Sequence, residues 1–228
     1  MAAIETLSRW QAEETFLLSP TLPVPAQALP ALNVVETFHS LQGEGLHAGR
    51  SAFFIRLAGC DVGCPWCDTK HSWPEAAHPR RPLGELAAEA TAAAAAGAAF
   101  VVITGGEPLQ QPLDGLCAAL APVGLPLHLE TSGVGCLSGR FDWITLSPKA
   151  HRPPAADLLA RCDELKVVVT SQDDLAFAEA MAAAAAGPEL LLQPAWDDPA
   201  AQALAVAYVR RHPSWRLSLQ SHKWLGLR

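Results

Sequence analysis

The sequence predicts a single α/β domain on a parallel sheet covered by helices, and three observations carry that prediction. Strand-like apolar runs alternate with helix-like stretches from about residue 53 to the last segment of the chain. Gly97 and Gly187 fall where helix C-caps belong. Polar residues gather at the C-terminal ends of successive strands, as on the catalytic rim of a parallel barrel. Alternating strands and helices leave two arrangements open, a doubly wound sheet or a barrel. A chain of 228 residues is long enough for one sizeable core.

Taken in order, residues 1–31 read as an N-terminal extension with no assigned role. A short helix is expected at 7–17, and Pro20, Pro23, Pro25 and Pro30 then break regular structure. Residues 32–228 form the domain. Segments 34–38 and 52–57 read as strands bracketing the glycine-rich turn 42–45. Further strands are expected at 100–104, 125–130, 143–146, 165–170, 190–193 and 216–219. The helices between them are expected at 83–96, 109–120, 155–161, 173–186 and 199–210, with alanine runs at 92–96 and 182–186 favouring helix strongly. The rim then carries Thr104-Gly105-Gly106-Glu107, Glu130-Thr131-Ser132, Ser147-Pro148-Lys149, Thr170-Ser171-Gln172, Gln193 and Gln220-Ser221-His222-Lys223. Helix capping accounts for the serines and threonines of this set. It does not account for the glutamates, glutamines and lysines.

Sixteen basic against 23 acidic residues give a net charge of -7, with no basic block, so the footprint of a nucleic-acid binder is missing and a small-molecule partner is expected. Residues 1–31 contain Glu5, Glu13 and Glu14 and no apolar core of a secretory signal. No run of ~20 apolar residues suits a membrane span. Six cysteines, three of them crowded together, do not read as a disulfide framework. The expectation is a reduced, cytoplasmic protein in which Cys117, Cys136 and Cys162 are small buried apolar residues.

The crowded three are Cys60, Cys64 and Cys67, at spacings of three and two intervening residues. A zinc site would add His71 as fourth ligand. An electron-carrier cluster would need a fourth cysteine, and the next is Cys117. A four-iron cluster with three thiolates would leave one iron open to a ligand that is not protein.

On the last reading, C-x3-C-x2-C after the first barrel strand resembles the cluster loop of radical S-adenosylmethionine enzymes. Thr104-Gly105-Gly106-Glu107-Pro108 resembles that superfamily's GGEP motif, which binds the cofactor's amino group. The segments Phe38-His39-Ser40-Leu41-Gln42-Gly43-Glu44-Gly45, Phe54-Ile55-Arg56-Leu57-Ala58-Gly59-Cys60 and Ser218-Leu219-Gln220-Ser221-His222-Lys223 together resemble the 7-carboxy-7-deazaguanine synthase family, over about residues 34–228. The resemblance implies a partial (β/α)6-type barrel, one [4Fe-4S] cluster, S-adenosyl-L-methionine and Mg2+. It further implies a homodimer and a reducing partner such as flavodoxin or ferredoxin.

The implied reaction converts 6-carboxy-5,6,7,8-tetrahydropterin to 7-carboxy-7-deazaguanine with ring contraction and loss of ammonia, begun by a 5′-deoxyadenosyl radical, on the route to queuosine or another deazapurine. By the same resemblance Cys60, Cys64 and Cys67 hold the cluster and Thr69 holds Mg2+. Trp66, Gly105, Gly106, Glu107, Ser147, Pro148, Lys149 and Gln193 contact the cofactor. Leu41, Gln42, Gly43, Glu44, Asp68, Thr104, His222, Lys223 and Arg228 contact the substrate, and Arg56 binds its carboxylate; Glu44, Arg56 and His222 are the catalytic set. Minimal spacing between the first two cysteines departs from members with a long insert there. Two alternatives stay open at this point, a glycyl-radical-enzyme activase and a metal-stabilised module without catalysis.

Overall fold

The computed structural model describes residues 30–228, so the N-terminal extension and its expected helix lie outside the described residues. Nine strands form one sheet: β1 (Ala31–Leu41), β2 (Ser51–Leu57), β3 (Arg80–Pro82), β4 (Val101–Gly105), β5 (Leu127–Thr131), β6 (Trp143–Leu146), β7 (Glu164–Val169), β8 (Glu189–Pro194) and β9 (Trp215–Leu217). Their order is β3-β1-β2-β4-β5-β6-β7-β8-β9. From β2 to β9 every neighbouring pair is parallel, while β1 is antiparallel to both β2 and β3. The two edges, β3 and β9, do not pair, so the sheet remains an open, partial barrel.

Six helices accompany it: α1 (Leu83–Ala95), α2 (Asp114–Leu120), α3 (Ala156–Leu159), α4 (Gln172–Ala184), α5 (Pro199–Val209) and α6 (Ser221–Trp224). Each begins where local chemistry permits. Asp198 caps α5, accepting from the Ala200 and Ala201 amides at 3.0 Å, with Pro199 in the first turn where a missing N–H costs nothing. Asp174 reaches back from α4 to the Thr170 and Ser171 amides at 2.8 and 2.9 Å.

Period-two alternation divides each strand between two environments. Val101, Ile103, Leu127, Leu129, Leu165, Val167 and Val169 point outward and are almost fully buried with Leu86, Leu116, Leu120 and Leu175 of the helices. The inward positions carry Arg56, Thr104, His128, Glu130, Thr145, Glu164 and Lys166 beside a small apolar cluster of Ala52, Phe54, Phe100 and Val102, so much of the interior is polar where barrels are commonly filled with branched apolar residues.

Three expectations are corrected. The strand β3 was not expected; it is a three-residue edge annealed to the start of β1, too short to show periodicity. The helix expected at 109–120 is split into a single 3-10 turn at Pro108–Gln110 and α2, because Pro112 cannot donate to a continuing helix. Cys117 and Cys162 are buried as expected, but Cys136 is exposed.

Candidate active site

Strand ends and the loops after them build three adjoining cavities at the rim. One, of about 190 Å³, is lined by Leu41, Gln42, Gly43 and Glu44 after β1, Arg56 of β2, Thr104 and Gly105 of β4, Glu130 of β5, Gln220 and His222 of the tail, and Arg228. A second, of about 430 Å³, is bounded by Trp66, Ser147, Lys166, Gln193 and Trp196. A third, of about 110 Å³, is lined by Cys60, Cys64 and Cys67 with Trp66, Gly106, Ser132 and Lys149. Asp68 lines all three, and Thr69 lines the first and third. The short segment 66–69 is therefore the junction at which the chambers meet.

In the first chamber polar groups are held by one another. Glu130 accepts from Gln42 Nε2 and from Thr104 Oγ1, both at 2.8 Å, which fixes the amide and hydroxyl that face the cavity. Gln42 Oε1 in turn accepts from the Glu44 amide at 3.0 Å. The Glu44 carboxylate is paired with the buried Lys166 and accepts from Gln220 Nε2 at 2.8 Å. Burial opposes its charge, but Lys166, Gln220 and His222 together outweigh burial and hold the carboxyl well below its usual range, at about 2. Lys166 is raised despite its own burial, because Glu44, Glu130 and Glu164 surround it. Arg56 gives its Nε to Glu36 at 3.0 Å and stacks over Phe38 at 5.6 Å, which fixes the plane of its guanidinium fork. His222 packs so closely on Gly43 that a β-carbon there would stand 2.0 Å from its Nδ1. Only a glycine lets the tail close on this turn.

The cysteine loop is braced from two sides. The Gly59 and Cys60 amides donate to Ser72 and Trp73 carbonyls at 2.8 and 3.2 Å, folding the loop back on itself. From the segment after β6, Arg152 NH1 donates to the Asp61 carbonyl at 2.6 Å, and the His151 ring bonds the Val62 carbonyl at 3.0 Å. Burial pushes the Cys60 and Cys64 thiols up. Lys149 stands beside them, over the Trp66 ring at 4.9 Å and donating to Ser147 Oγ at 2.7 Å; burial lowers it to about 8.

The paired glycines act through packing as much as through access. A β-carbon on Gly106 would lie 2.3 Å from the Gly59 carbonyl oxygen and 2.8 Å from Cys60 Cβ. Gly105, at φ +142°, packs equally closely on the Leu57 backbone. The end of β4 is thereby pressed against the start of the cysteine loop.

Most residues expected from sequence meet here, and three stand back. Glu107 is 1% exposed and turned inward, accepting from Thr131 Oγ1 at 2.5 Å, the Ser132 amide at 2.8 Å and the Leu109 amide at 3.1 Å, so it ties β4 to β5. Pro148 is buried beneath the rim. Lys223 pairs with Asp68 and lies over Trp196 at 5.1 Å, so it bears on the chambers through those residues. Sequence reading assigned no role to Glu130 or Gln220 and passed over Lys166 and Trp196. Lys166 had a signal: a charge two residues after Glu164, on the same face of the otherwise apolar parallel strand Glu164–Val169, has to face something polar.

Three thiols on one loop, lining one cavity, are a donor set that fits an iron–sulfur cluster with one iron left open. Among the described residues no three His, Cys, Asp or Glu side chains converge on one metal position, and His71, the fourth ligand of the zinc alternative, is exposed. A four-iron cluster takes one thiolate per iron and so seats its ligands apart. The half-buried Lys149 cation, with a hydroxyl and an aromatic ring for partners, suits a neighbour of negative charge.

Comparison with known proteins gives the same direction. The family model of the radical SAM superfamily matches residues 54–168. A 7-carboxy-7-deazaguanine synthase of Prochlorococcus marinus is 50% identical, the alignment covering 86% of this chain and 98% of that protein. The protein of the same name from Synechocystis is 52% identical over 86% of this chain and 93% of its own length. Among solved structures, QueE from Escherichia coli superimposes with a TM-score of 0.74 at 31% identity, covering 84% of this chain and 95% of that one.

Proposed function

Because this chain belongs to the 7-carboxy-7-deazaguanine synthase family of radical SAM enzymes, we propose that its first chamber binds the pterin substrate and its second and third bind the cofactors. The protein is a radical SAM lyase of queuosine biosynthesis, converting 6-carboxy-5,6,7,8-tetrahydropterin to 7-carboxy-7-deazaguanine and ammonia. The observation that supports the assignment is the junction at 66–69, a short segment at the last of the three cysteines whose residues border all three chambers. When bound, the [4Fe-4S] cluster and S-adenosyl-L-methionine supply an adenosyl radical, and Mg2+ supplies a positive charge for substrate oxygens.

Cys60, Cys64 and Cys67 hold the cluster, with Lys149 neutralising charge beside it. Trp66, Ser147, Gln193 and Gly106 line the cofactor's seat, and Thr69 offers its hydroxyl to Mg2+ between chambers. Arg56 receives the substrate carboxylate on the fork atoms that Glu36 leaves. Gln42 and Thr104, keyed by Glu130, recognise the heterocycle edge, and the ionised Glu44 accepts its N–H groups. His222 and the tail close the chamber against water. Flavodoxin or ferredoxin supplies the electron in the cytoplasm, and the chain works as a homodimer. No described helix is long and apolar enough to cross a membrane.

Anaerobic reconstitution followed by incubation with the pterin, reductant and cofactor tests the reading. The expected results are about four irons per chain and formation of the deazaguanine; zinc without iron, or no deazaguanine, sinks it. Cys64→Ala is expected to abolish 5′-deoxyadenosine release while leaving the fold.

A further inference from the structure

Beside the substrate chamber, inside the barrel, lies a small polar cavity of about 10 Å³, the volume that admits roughly one water molecule. It shares Gln42, Glu44 and Glu130 with the substrate chamber, and adds His47, His128, Glu164 and Lys166. The cofactors and the assigned substrate contacts leave this cavity unexplained.

Its lining is built for a molecule that both donates and accepts. Arg50 NH1 lies 2.7 Å from His47 Nδ1, and a guanidinium can only donate, so Nδ1 accepts and the ring proton sits on Nε2. That Nε2 is buried without a partner among the described residues, and the Thr145 hydroxyl lines the same cavity. His128, 7% exposed and stacked on Phe100 at 4.2 Å, makes no hydrogen bond among the described residues. Glu164, 2% exposed, accepts from the Leu46 amide at 2.8 Å through one oxygen, while the other makes no hydrogen bond among the described residues. Buried polar atoms left unpaired cost about 1–3 kcal/mol each. One water within reach of several of them removes much of that cost.

We propose that this cavity seats a single ordered water that relays protons between the substrate chamber and the barrel floor, with Glu164 as the relay's proton-holding group. The inference rests on the pterin reading of the adjoining chamber. Loss of ammonia requires it chemically: the C–N bond breaks with its electron pair on nitrogen, nitrogen takes a proton, and a ring C–H gives up a proton as its electrons enter the ring. One proton goes in and one comes out, and no oxidant or reductant is consumed. With the chamber closed by substrate, cofactor and tail, bulk water cannot serve this exchange from the rim. Lys166 donates to the leaving nitrogen through Glu44 at the chamber wall and is reprotonated from Glu164 through the water; the proton released from the ring carbon returns along the same path, through Glu44, Lys166 and the water, to Glu164, so the relay ends each turnover as it began. Glu164 faces Glu44, Glu130, Lys166, His47 and His128; burial in that company pushes its carboxyl up, toward the protonated form a donor needs.

The test begins with a high-resolution crystal structure of the anaerobic holoenzyme, where a water within hydrogen-bonding distance of His47 Nε2 and Glu164 is expected. Glu164→Gln should lower kcat about tenfold or more with KM unchanged. It should also enlarge the solvent deuterium isotope effect and leave 5′-deoxyadenosine release without substrate at the parental rate. His47→Phe keeps a ring against Trp143 but removes the donor expected to hold the water, and gives the same answer should the first variant fail to fold. A dry cavity overturns the relay, as do parental turnover and isotope effect in the folded variants. If the parent itself does not convert the pterin, the reading of the chamber fails instead, and the two failures are distinguished.

Discussion

At the scale of single residues, the interior of this barrel trades stability for polarity, and His128 measures the trade. Burial lowers its ring from the ordinary 6.5 to about 4, with His47 and Arg50 adding to the effect. The unfolded chain therefore takes up a proton below about 6.5 that the folded chain refuses until about 4. Stability contributed by the neutral ring is complete above the higher value and is lost as pH falls through this window. The loss sums to roughly 3 kcal/mol at ~1.4 kcal/mol per unit. His128→Phe removes the term, so its unfolding free energy should fall less between pH 6.5 and 4 than that of the parent, as chemical denaturation at several pH values would show. Parallel pH curves would contradict this assignment.

At the scale of elements, legibility followed period. The outward valines, leucines and isoleucines of β4 to β8 alternate with the polar interior, so the strands and the helices that cover them were readable from pattern alone. What pattern could not give was the meaning of the inward charges: Glu164 and Lys166 are two apart on β7, and only the closing of the sheet brings Glu44 to them from the other side. Likewise the glycines after β4 were legible as a motif, but their contact with Gly59 and Cys60 is a fact of packing. Gly106→Ala tests that contact. The added methyl has backbone on one side and Cys60 Cβ on the other, so the loop must move, at about 1–3 kcal/mol for an overpacked site. We expect a folded protein with lowered melting temperature that retains markedly less iron after anaerobic reconstitution. Parental iron content would show that the cysteine loop tolerates the shift and that these glycines serve access alone.

At the scale of the whole molecule, the chamber is closed by its two most distant parts, the first strand and the last helix. Ser221 donates from amide and hydroxyl to the Gly43 carbonyl at 2.9 and 3.0 Å, Ser40 Oγ donates to the Arg228 carbonyl at 2.9 Å, and Arg228 NH1 reaches Glu36 at 3.2 Å. Sequence reading placed His222 and Arg228 at the substrate by resemblance. It could not place Trp196, because the pairing of its ring with Trp224 at 5.6 Å depends on where the tail lies. The cysteine stretch itself, by contrast, is braced by Ser72, Trp73, His151 and Arg152, and residues 221–228 reach that loop through the ion pair of Lys223 with Asp68. Removing residues 221–228 should therefore separate the two halves of the site. The truncated chain is expected to bind iron and release 5′-deoxyadenosine like the parent. Its KM for the pterin should rise about tenfold or more, since losing hydrogen bonds and a charged contact worth a total of ~1.4 kcal/mol already gives a factor of ten. Water entering the opened chamber should also raise the 5′-deoxyadenosine formed per deazaguanine, because radicals generated there are no longer reserved for the substrate. Steady-state kinetics with both products quantified decides it: an unchanged KM and product ratio would mean that the tail only packs on the barrel and that β1 closes the chamber unaided.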